Sequence, residues 1–267
     1  MQVGFIGLGS QGGPMARMIA AGGYPLMLWA RRAASLEPFA DATRASSPVE
    51  LGAACDLVGL CVVSDADVRE VAITGGLLKA MRPDAILAIH STVRPDTCRE
   101  IADAAPAGVR VLDAPVSGTG EAALKKQLAV MVGGDAAAYE TARPVFETFG
   151  APVRRMGDLG TGQLCKLVNN VLMTANLKLA ADAMGFGKSL TIDPAPLHEM
   201  LMASSGRSFA LEALNRILTP QNSAHAAALL RKDLALAVEA ASRVGFDLGT
   251  LREVSAQTIA VIEGIAE

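Results

Sequence analysis

The sequence has few of the features that mark several common classes of protein. Aromatic residues make up only 4% of the 267 residues. Lysine and arginine number 24 against 27 acidic residues, so the basic excess typical of nucleic-acid-binding proteins is missing. The cysteines lie far apart, without the spacing of metal ligands, which predicts reduced thiols and no metal site. They are Cys55, Cys61, Cys98 and Cys165.

Long apolar runs are also missing. No uninterrupted run approaches the roughly 18 residues that a membrane span requires. A strand-like segment begins almost at the first residue, so no signal peptide is expected. We therefore expect a cytoplasmic protein with neither a membrane nor nucleic acid as partner. The 26 glycines and the 51% hydrophobic content are instead typical of an α/β protein with closely packed helices.

Strand-like and helical patterns alternate in the first part of the chain, which predicts a mainly parallel sheet. The strand signal disappears from residue 161, where a long helix is predicted over roughly 161–189. The sequence therefore predicts an α/β Rossmann-type dinucleotide-binding domain over 1–160, followed by an all-α domain over 161–267. The predicted strands are 2–7, 26–30, 57–63, 86–89, 109–113, 128–132 and 153–156.

A glycine-rich segment, Gly7-Leu8-Gly9-Ser10-Gln11-Gly12, follows the first predicted strand and leads into a helical pattern. This G-x-G-x-x-G spacing is the fingerprint of dinucleotide binding in that context. Gly7 allows the tight turn, Gly9 lets the backbone approach a pyrophosphate, and Gly12 brings the helix close to the strand. The pyrophosphate is expected at the helix N-terminus, where N–H groups and the helix dipole attract an anion.

Two arginines, Arg31 and Arg32, follow the second predicted strand. A site for NAD favours an acid here, for the ribose diol, and the nearest carboxylates in sequence are Glu37 and Asp41, further on. Arginines can instead bind a 2′-phosphate by bidentate hydrogen bonds or stack on adenine. The pair favours NADP(H) over NAD(H). The alternative is a solvated basic pair beside a loop.

The predicted long helix carries Lys166, Asn169 and Asn170. Residues at i, i+3 and i+4 lie on one side of a helix, so these side chains can converge. A buried lysine is costly unless a charged or reactive group faces it, although most helical lysines are solvated. We expect the helix to bring Lys166 and Asn170 to a ligand site between the two domains.

Two further loops follow predicted strands at the carboxyl ends, where ligands bind in such sheets. The first is His90–Val93. The second runs from Asp113 to Gly120, and its Ser117 and glycines are able to offer N–H donors to a carboxylate. The alternative for the second loop is a plain glycine turn. Asp113 is expected to accept hydrogen bonds from local backbone donors.

Together these segments resemble the β-hydroxyacid dehydrogenase family, which includes 3-hydroxyisobutyrate dehydrogenases, tartronate semialdehyde reductases and glyoxylate/succinic semialdehyde reductases. Four of its motifs occur in order over nearly the whole chain. They are the cofactor turn from Gly7, the substrate motif Asp113-Ala-Pro-Val-Ser-Gly118, the catalytic motif from Gly160 to Asn170, and the cofactor segment Lys232-Asp233-Leu234.

The resemblance implies an oxidoreductase acting on a small carboxylated aldehyde or 2-oxo acid, or on the corresponding hydroxy acid, and the arginine pair favours NADP(H) as its cofactor. Lys166 is implied as the general acid/base, with a pKa lowered by partial burial. The residues implied in substrate binding are Ser117, Gly118, Thr119 and Asn170. Those implied in cofactor binding, besides the glycine-rich turn and the two arginines, are Val62, Val63, Thr92 and Lys232.

The chain departs from the family pattern at three places. Thr119 and Lys126 stand where glycines are usual, and Lys126, beside Lys125, is either solvated or rims the pocket. His225 stands where phenylalanine is frequent, as an ordinary helix residue or a polar pocket group. Arg207 is not a departure: it belongs to the segment Ser204–Ser208, which resembles a family loop near the active site, and it is structural or pairs with a second carboxylate.

Two alternative functions stay open. The first is an imine reductase-like NADPH enzyme, against which Lys166 argues because such relatives generally lack this lysine. The second is a non-catalytic NADPH-binding protein, since one fold hosts many functions. The resemblance also implies a homodimer or homotetramer.

Overall fold

The computed structural model describes residues 1–217 and 220–266, apart from the side chains of residues 216, 217, 220–222, 225 and 266. The chain forms two compact units, Met1–Lys166 and Leu167–Glu267. Within the described ranges, no helix combines the length and the apolar character that crossing a membrane requires.

The first unit holds one sheet, with its strands in the order β3-β2-β1-β4-β5-β6-β8-β7 and with β9 paired to β8. Strands β1 to β6 are parallel in the Rossmann order, whereas β8 runs antiparallel to β6 and β7. The strands are β1 (Val3–Ile6), β2 (Leu26–Trp29), β3 (Thr43–Arg44), β4 (Leu57–Leu60), β5 (Ile86–Ile89), β6 (Arg110–Asp113), β7 (Val116–Ser117), β8 (Leu128–Gly133) and β9 (Gly150–Gly157).

Helices cover both faces of this sheet. On one face Phe5, Met15 and Phe146 are fully buried, and on the other Leu60 and Leu77 are fully buried. Each such side chain contributes roughly 1.5–3 kcal/mol through removal of apolar surface from water. The helices are α1 (Gly12–Ala21), α2 (Pro48–Ala54), α3 (Asp65–Arg69), α4 (Leu77–Ala80), α5 (Pro95–Asp103), α6 (Gly120–Leu124) and α7 (Ala136–Phe146).

The second unit is helical throughout its described residues, and its core includes Leu177, Leu211 and Ile262. Buried hydroxyls find backbone partners here: Thr258 Oγ1 donates to the carbonyl of Thr174 at 2.8 Å. Helix α8 (Thr161–Ser189) belongs to both units in sequence. The others are α9 (Pro194–Ala203), α10 (Phe209–Ile217), α11 (Pro220–Arg243) and α12 (Thr250–Ala266).

The predicted fold class is confirmed: a mostly parallel sheet with flanking helices precedes a helical unit. Each of the seven predicted strands overlaps an observed one. The two strands that were not predicted, β3 and β7, have only two residues each. A two-residue strand is too short to carry an alternating pattern, which explains their omission.

Candidate active site

The glycine-rich turn lies between β1 and α1, and two of its glycines serve different purposes. Gly7 has a φ of 95°, and a Cβ there would collide with the carbonyl of Cys61, so the fold itself requires this glycine. A Cβ built on Gly9 meets no described atom within 4 Å. The space beside Gly9 is therefore open to a ligand.

Gln11 supplies a second sign of a ligand at this turn. It stands at the N-cap of α1, and its Nε2 atom is buried with no hydrogen-bond partner among the described residues. A buried donor without an acceptor costs about 1–3 kcal/mol. An anionic group beside Gly9 would offer that acceptor at the helix N-terminus. The residues present therefore fit the pyrophosphate of a dinucleotide.

The two arginines follow β2, and both are exposed. Arg31 is paired: its Nη2 lies 3.4 Å from Oδ1 of Asp67, in the first turn of α3. Glu37 and Asp41 are the nearest acids in sequence, but the acid that contacts Arg31 in the structure is Asp67. Asp67 lies 36 residues beyond Arg31, and only the parallel pairing of β2, β1 and β4 brings the two together.

The loops after β4 and β5 are tied to each other. The backbone N–H of Val62 donates to Oγ of Ser91 at 2.8 Å. Beside it Val63 is 70% exposed, a large apolar side chain left uncovered at the carboxyl end of β4. Thr92 is half-buried. These cofactor-binding candidates follow the neighbouring parallel strands β4 and β5, at the carboxyl ends of the strands.

Gln163, which the sequence reasoning missed, ties the loop after β5 to α8. Its Nε2 donates to the carbonyl of Ser91 at 2.8 Å, and its Oε1 accepts from the N–H of Val93 at 3.1 Å. Thr92 is thus held between two anchored neighbours. Gln163 is fully buried and stands one helical turn before Lys166. The available signal in the sequence was its position three residues before Lys166, which places both side chains on the same side of a helix.

Asp113 fixes the start of α8. Its Oδ1 accepts from the N–H of Gly160 at 2.6 Å, and its Oδ2 accepts from the N–H of Gln163 at 2.7 Å. The expectation of local donors is wrong, because these donors lie 47 and 50 residues away. Gly162 allows this approach, since a Cβ there would lie 2.8 Å from Oδ2 of Asp113. Burial raises the pKa of Asp113, and the N–H donors oppose that shift.

Lys166 is half-buried on α8, and Asn170 follows one turn later. Asn170 is buried: its Nδ2 donates to Oδ2 of Asp233 at 2.6 Å, and its Oδ1 accepts from Asn169 at 3.0 Å. The other oxygen of Asp233 lies 3.7 Å from Nζ of Lys232. These two contacts join the catalytic candidate motif to the Lys232 segment.

The loop around the substrate candidates packs closely against the glycine-rich turn. Gly120 permits this approach, since a Cβ there would collide with the carbonyl of Ser10. Ser117 lies in β7, and Gly118 follows with a φ of 130°. Thr119 caps α6, its Oγ1 accepting from the N–H of Ala122 at 3.3 Å. The hydroxyl of Thr119 is therefore engaged within its own loop.

Two family models together match almost the whole chain. One, described as the NAD binding domain of 6-phosphogluconate dehydrogenase, matches residues 2–158. The other, described as NAD-binding of NADP-dependent 3-hydroxyisobutyrate dehydrogenase, matches residues 160–265. An NAD-dependent L-serine dehydrogenase from Pseudomonas aeruginosa is 35% identical over 90% of this chain and 85% of its own length. The chain belongs to the β-hydroxyacid dehydrogenase family.

Solved structures agree with this assignment. The 3-hydroxyisobutyrate dehydrogenase of Mycobacterium tuberculosis, determined with L-serine, has a TM-score of 0.83 at 25% identity and covers 100% of both chains. Psf3 in complex with NADP+ has a TM-score of 0.83 at 27% identity, covering 98% of this chain and 93% of its own. The protein is thus an NAD(P)-binding dehydrogenase, which confirms the predicted family and enzyme class.

The side chain of His90 belongs to the core of this β-hydroxyacid dehydrogenase. His90 is buried against Phe5, Phe146 and Phe149, and its Nδ1 lies 2.8 Å from the carbonyl of Ala114. A carbonyl only accepts, so Nδ1 carries the proton. Burial lowers the pKa of His90 to about 4. His90 is a neutral core residue at physiological pH.

Lys125, Lys126 and Arg207 all have exposed side chains. Lys125 pairs with Glu121 at 2.6 Å, both exposed, and Lys126 is exposed with a φ of 56°. Arg207 is exposed. The side chain of His225 lies outside the described residues. Among the described residues no group of His, Cys, Asp and Glu is arranged to hold a metal ion.

Proposed function

We propose that this dehydrogenase transfers hydride between NADP(H) and a small carboxylated aldehyde or 2-oxo acid, or the corresponding hydroxy acid. The observation that carries the proposal is the double anchoring of the first turn of α8. Asp113 binds its backbone, and Gln163 links it to the loop that holds Thr92. Lys166 follows directly on a fixed helix, as a general acid/base must.

The reaction assigns Lys166 one task. The bound nicotinamide supplies or accepts the hydride at the substrate carbon. During reduction the carbonyl oxygen gains negative charge, and a lysine ammonium within hydrogen-bond reach stabilises and protonates it. During oxidation the neutral amine of Lys166 takes the hydroxyl proton. No metal is required for this chemistry.

The substrate carboxylate is assigned to Ser117, Gly118, Thr119 and Asn170. Asp233 supports the assignment, because it accepts one N–H of the Asn170 amide and so fixes the amide orientation. Two similar proteins are named for L-serine and 3-hydroxyisobutyrate, compounds that carry both a hydroxyl and a carboxylate. A carboxylated substrate agrees with these names.

The preference for NADP(H) rests on Arg31 and Arg32, whose exposed guanidinium groups follow β2 where the adenosine ribose is expected. The Psf3 structure, determined with NADP+, supports this proposal. The L-serine dehydrogenase relative is named as NAD-dependent, so the two cofactors must be compared directly. Cofactor contacts from Val62, Val63, Thr92 and Lys232 belong to the same proposal.

Self-association is proposed from an apolar stripe on α8. We define the α8 stripe as four exposed side chains that fall within roughly 40° of one another at 100° per residue. Isolated apolar residues on a surface are ordinary, but four large ones aligned along one side of a helix favour an interaction site. A second copy of the chain, as homodimer or homotetramer, would cover it. The stripe consists of Val168 (67% exposed), Leu172 (50%), Leu179 (56%) and Phe186 (67%).

The test is oxidation of NADPH, with NADH in parallel, against glyoxylate, succinic semialdehyde, tartronate semialdehyde and methylmalonate semialdehyde. Butyraldehyde serves as the matched control for succinic semialdehyde, because it has the same chain length with a methyl group in place of the carboxylate. We expect turnover of at least one acid and much weaker turnover of the control. Equal turnover of both would contradict carboxylate recognition. Turnover of a cyclic imine alone would support the imine reductase alternative. Cofactor binding without turnover of any of these compounds would direct the search to larger substrates, and lack of turnover there too would favour the non-catalytic alternative.

A further inference from the structure

Arg31 and Asp67 meet where the adenosine end of a dinucleotide is expected. The side chain of Arg31 is 77% exposed and that of Asp67 is 23% exposed, and their charged groups are 3.4 Å apart. Arg31 follows β2 and Asp67 lies in the loop-to-helix turn after β4, strands that flank β1 on either side. The pair therefore lies near the carboxyl end of β1, where the glycine-rich turn begins.

Asp67 is held in place independently of Arg31. Its Oδ2 accepts from the N–H of Ser64 at 3.1 Å and from the hydroxyl of Ser64 at 2.7 Å, in a capping box at the start of α3. These two bonds fix the carboxylate plane and leave Oδ1 facing Arg31. Arg31, by contrast, is exposed, and the one polar contact of its guanidinium among the described residues is the 3.4 Å pair with Asp67. The acid is the fixed member of the pair.

We infer that Asp67 is a specificity-determining residue for the cofactor, one that limits the preference for NADP(H). The inference rests on the proposed role of Arg31 in binding a 2′-phosphate. A fixed carboxylate beside Arg31 competes with that phosphate for the guanidinium and repels its negative charge. A ribose 2′-hydroxyl is instead a hydrogen-bond donor that a carboxylate accepts. Asp67 thus supplies the acid that the end of β2 lacks.

The decisive variant is Asp67→Asn, because an amide oxygen still accepts from Ser64 while the negative charge is removed. We follow cofactor binding by the fluorescence of Trp29, which is the only tryptophan of the sequence and stands two residues before Arg31. We expect the affinity for NADPH relative to NADH to rise on the order of 3- to 10-fold. Asp56→Asn is the matched control. Asp56 directly precedes β4, at the amino ends of the parallel strands and away from the glycine-rich turn, so its substitution should leave the ratio of NADPH to NADH affinity unchanged.

The same variants are also titrated calorimetrically with adenosine 2′,5′-bisphosphate and with AMP, which test the adenosine end without nicotinamide or catalysis. A rise confined to the bisphosphate supports the inference. An unchanged or lowered ratio in Asp67→Asn overturns it, because Asp67 would then be only a helix cap or a positioning partner for Arg31.

The double variant Arg31→Ala, Arg32→Ala tests the proposed function separately. It should weaken NADPH and the bisphosphate far more than NADH and AMP. Equal losses of affinity for all four ligands would show that Arg31 and Arg32 do not bind the 2′-phosphate. A loss confined to NADPH and the bisphosphate, with no effect of Asp67→Asn, would keep the role of the arginines and rule out only the role of Asp67.

Discussion

The carboxylate of Asp113 lies 2.7 Å from the backbone nitrogen of Gln163, and this contact ties the end of β6 to the first turn of α8. The first N–H groups of a helix have no partner within the helix. Asp113 satisfies two donors at this helix start, from Gly160 and Gln163, although it is remote in sequence. The position of Lys166 in α8 therefore depends on an acid at the end of strand β6.

Asp113→Asn should destabilise the protein. The amide keeps the size of the side chain but turns one acceptor into a donor that faces backbone N–H groups in a fully buried site. Loss of such a buried, charge-assisted contact costs about 2–4 kcal/mol. Urea unfolding followed by circular dichroism measures the change. Asp158→Asn is the control, because Asp158 is 100% exposed and its variant should unfold like the wild type. Equal stability of the two variants would contradict this role for Asp113.

His90 should make stability depend on pH. Its pKa is lowered from 6.5 to about 4 in the folded protein, so the unfolded chain takes up the proton first as pH falls. The free energy of unfolding is therefore unaffected by His90 above pH 6.5 and declines between about 6.5 and about 4, by roughly 2–3 kcal/mol.

His90→Phe removes this titration while keeping an aromatic ring beside Phe5 and Phe146. The variant loses the hydrogen bond to the carbonyl of Ala114, so it should be less stable than the wild type at neutral pH. That gap should shrink as pH falls toward the pKa of His90. Denaturant unfolding over this pH range measures both proteins. A gap that stays constant would show that His90 is not buried in its neutral form.

Lys126 has a left-handed backbone conformation that favours glycine, with a φ of 56°. The left-handed region costs a residue with a Cβ roughly 1–2 kcal/mol. Lys126→Gly should therefore be more stable than Lys126→Ala by about 1 kcal/mol, since both remove the charge and only the glycine relieves the strain. Thermal unfolding compares the two. Greater stability of the alanine variant would show that the loop is not strained there.

The α8 stripe should decide the oligomeric state. Val168→Asp places a charge on the α8 stripe, at the end nearest Lys166, so it should shift the protein toward monomer. Val244→Asp is the matched control, because Val244 is 78% exposed and lies outside α8. Light scattering coupled to size-exclusion chromatography measures the mass of each. A monomeric wild type, or equal masses for all three proteins, would remove the proposed interface.

The fold was largely predictable from the sequence because its signals are local. The glycine-rich turn lies between a strand and a helix, and the long helix predicted over roughly 161–189 corresponds to α8. The contacts that shape the site are not local. Arg31 with Asp67, and Asn170 with Asp233, are separated by 36 and 63 residues, and only the tertiary structure brings each pair together.

Asp113 likewise has hydrogen-bond partners that are distant in the sequence. Its position at the end of an apolar run predicted that it would accept backbone hydrogen bonds, but not that the donors would come from the start of α8. Gln11 carried a weaker signal still. Its place within the glycine-rich turn is evident in the sequence, whereas the buried Nε2 without a partner among the described residues is visible only in the structure.

Lys166→Ala tests the central claim most directly. Turnover of the acid substrate found with the wild type is measured beside the affinity for NADPH, which Trp29 fluorescence reports. The account predicts that turnover is lost by several orders of magnitude while the affinity for NADPH changes little. Near-normal turnover in the variant would contradict the role of Lys166 as general acid/base.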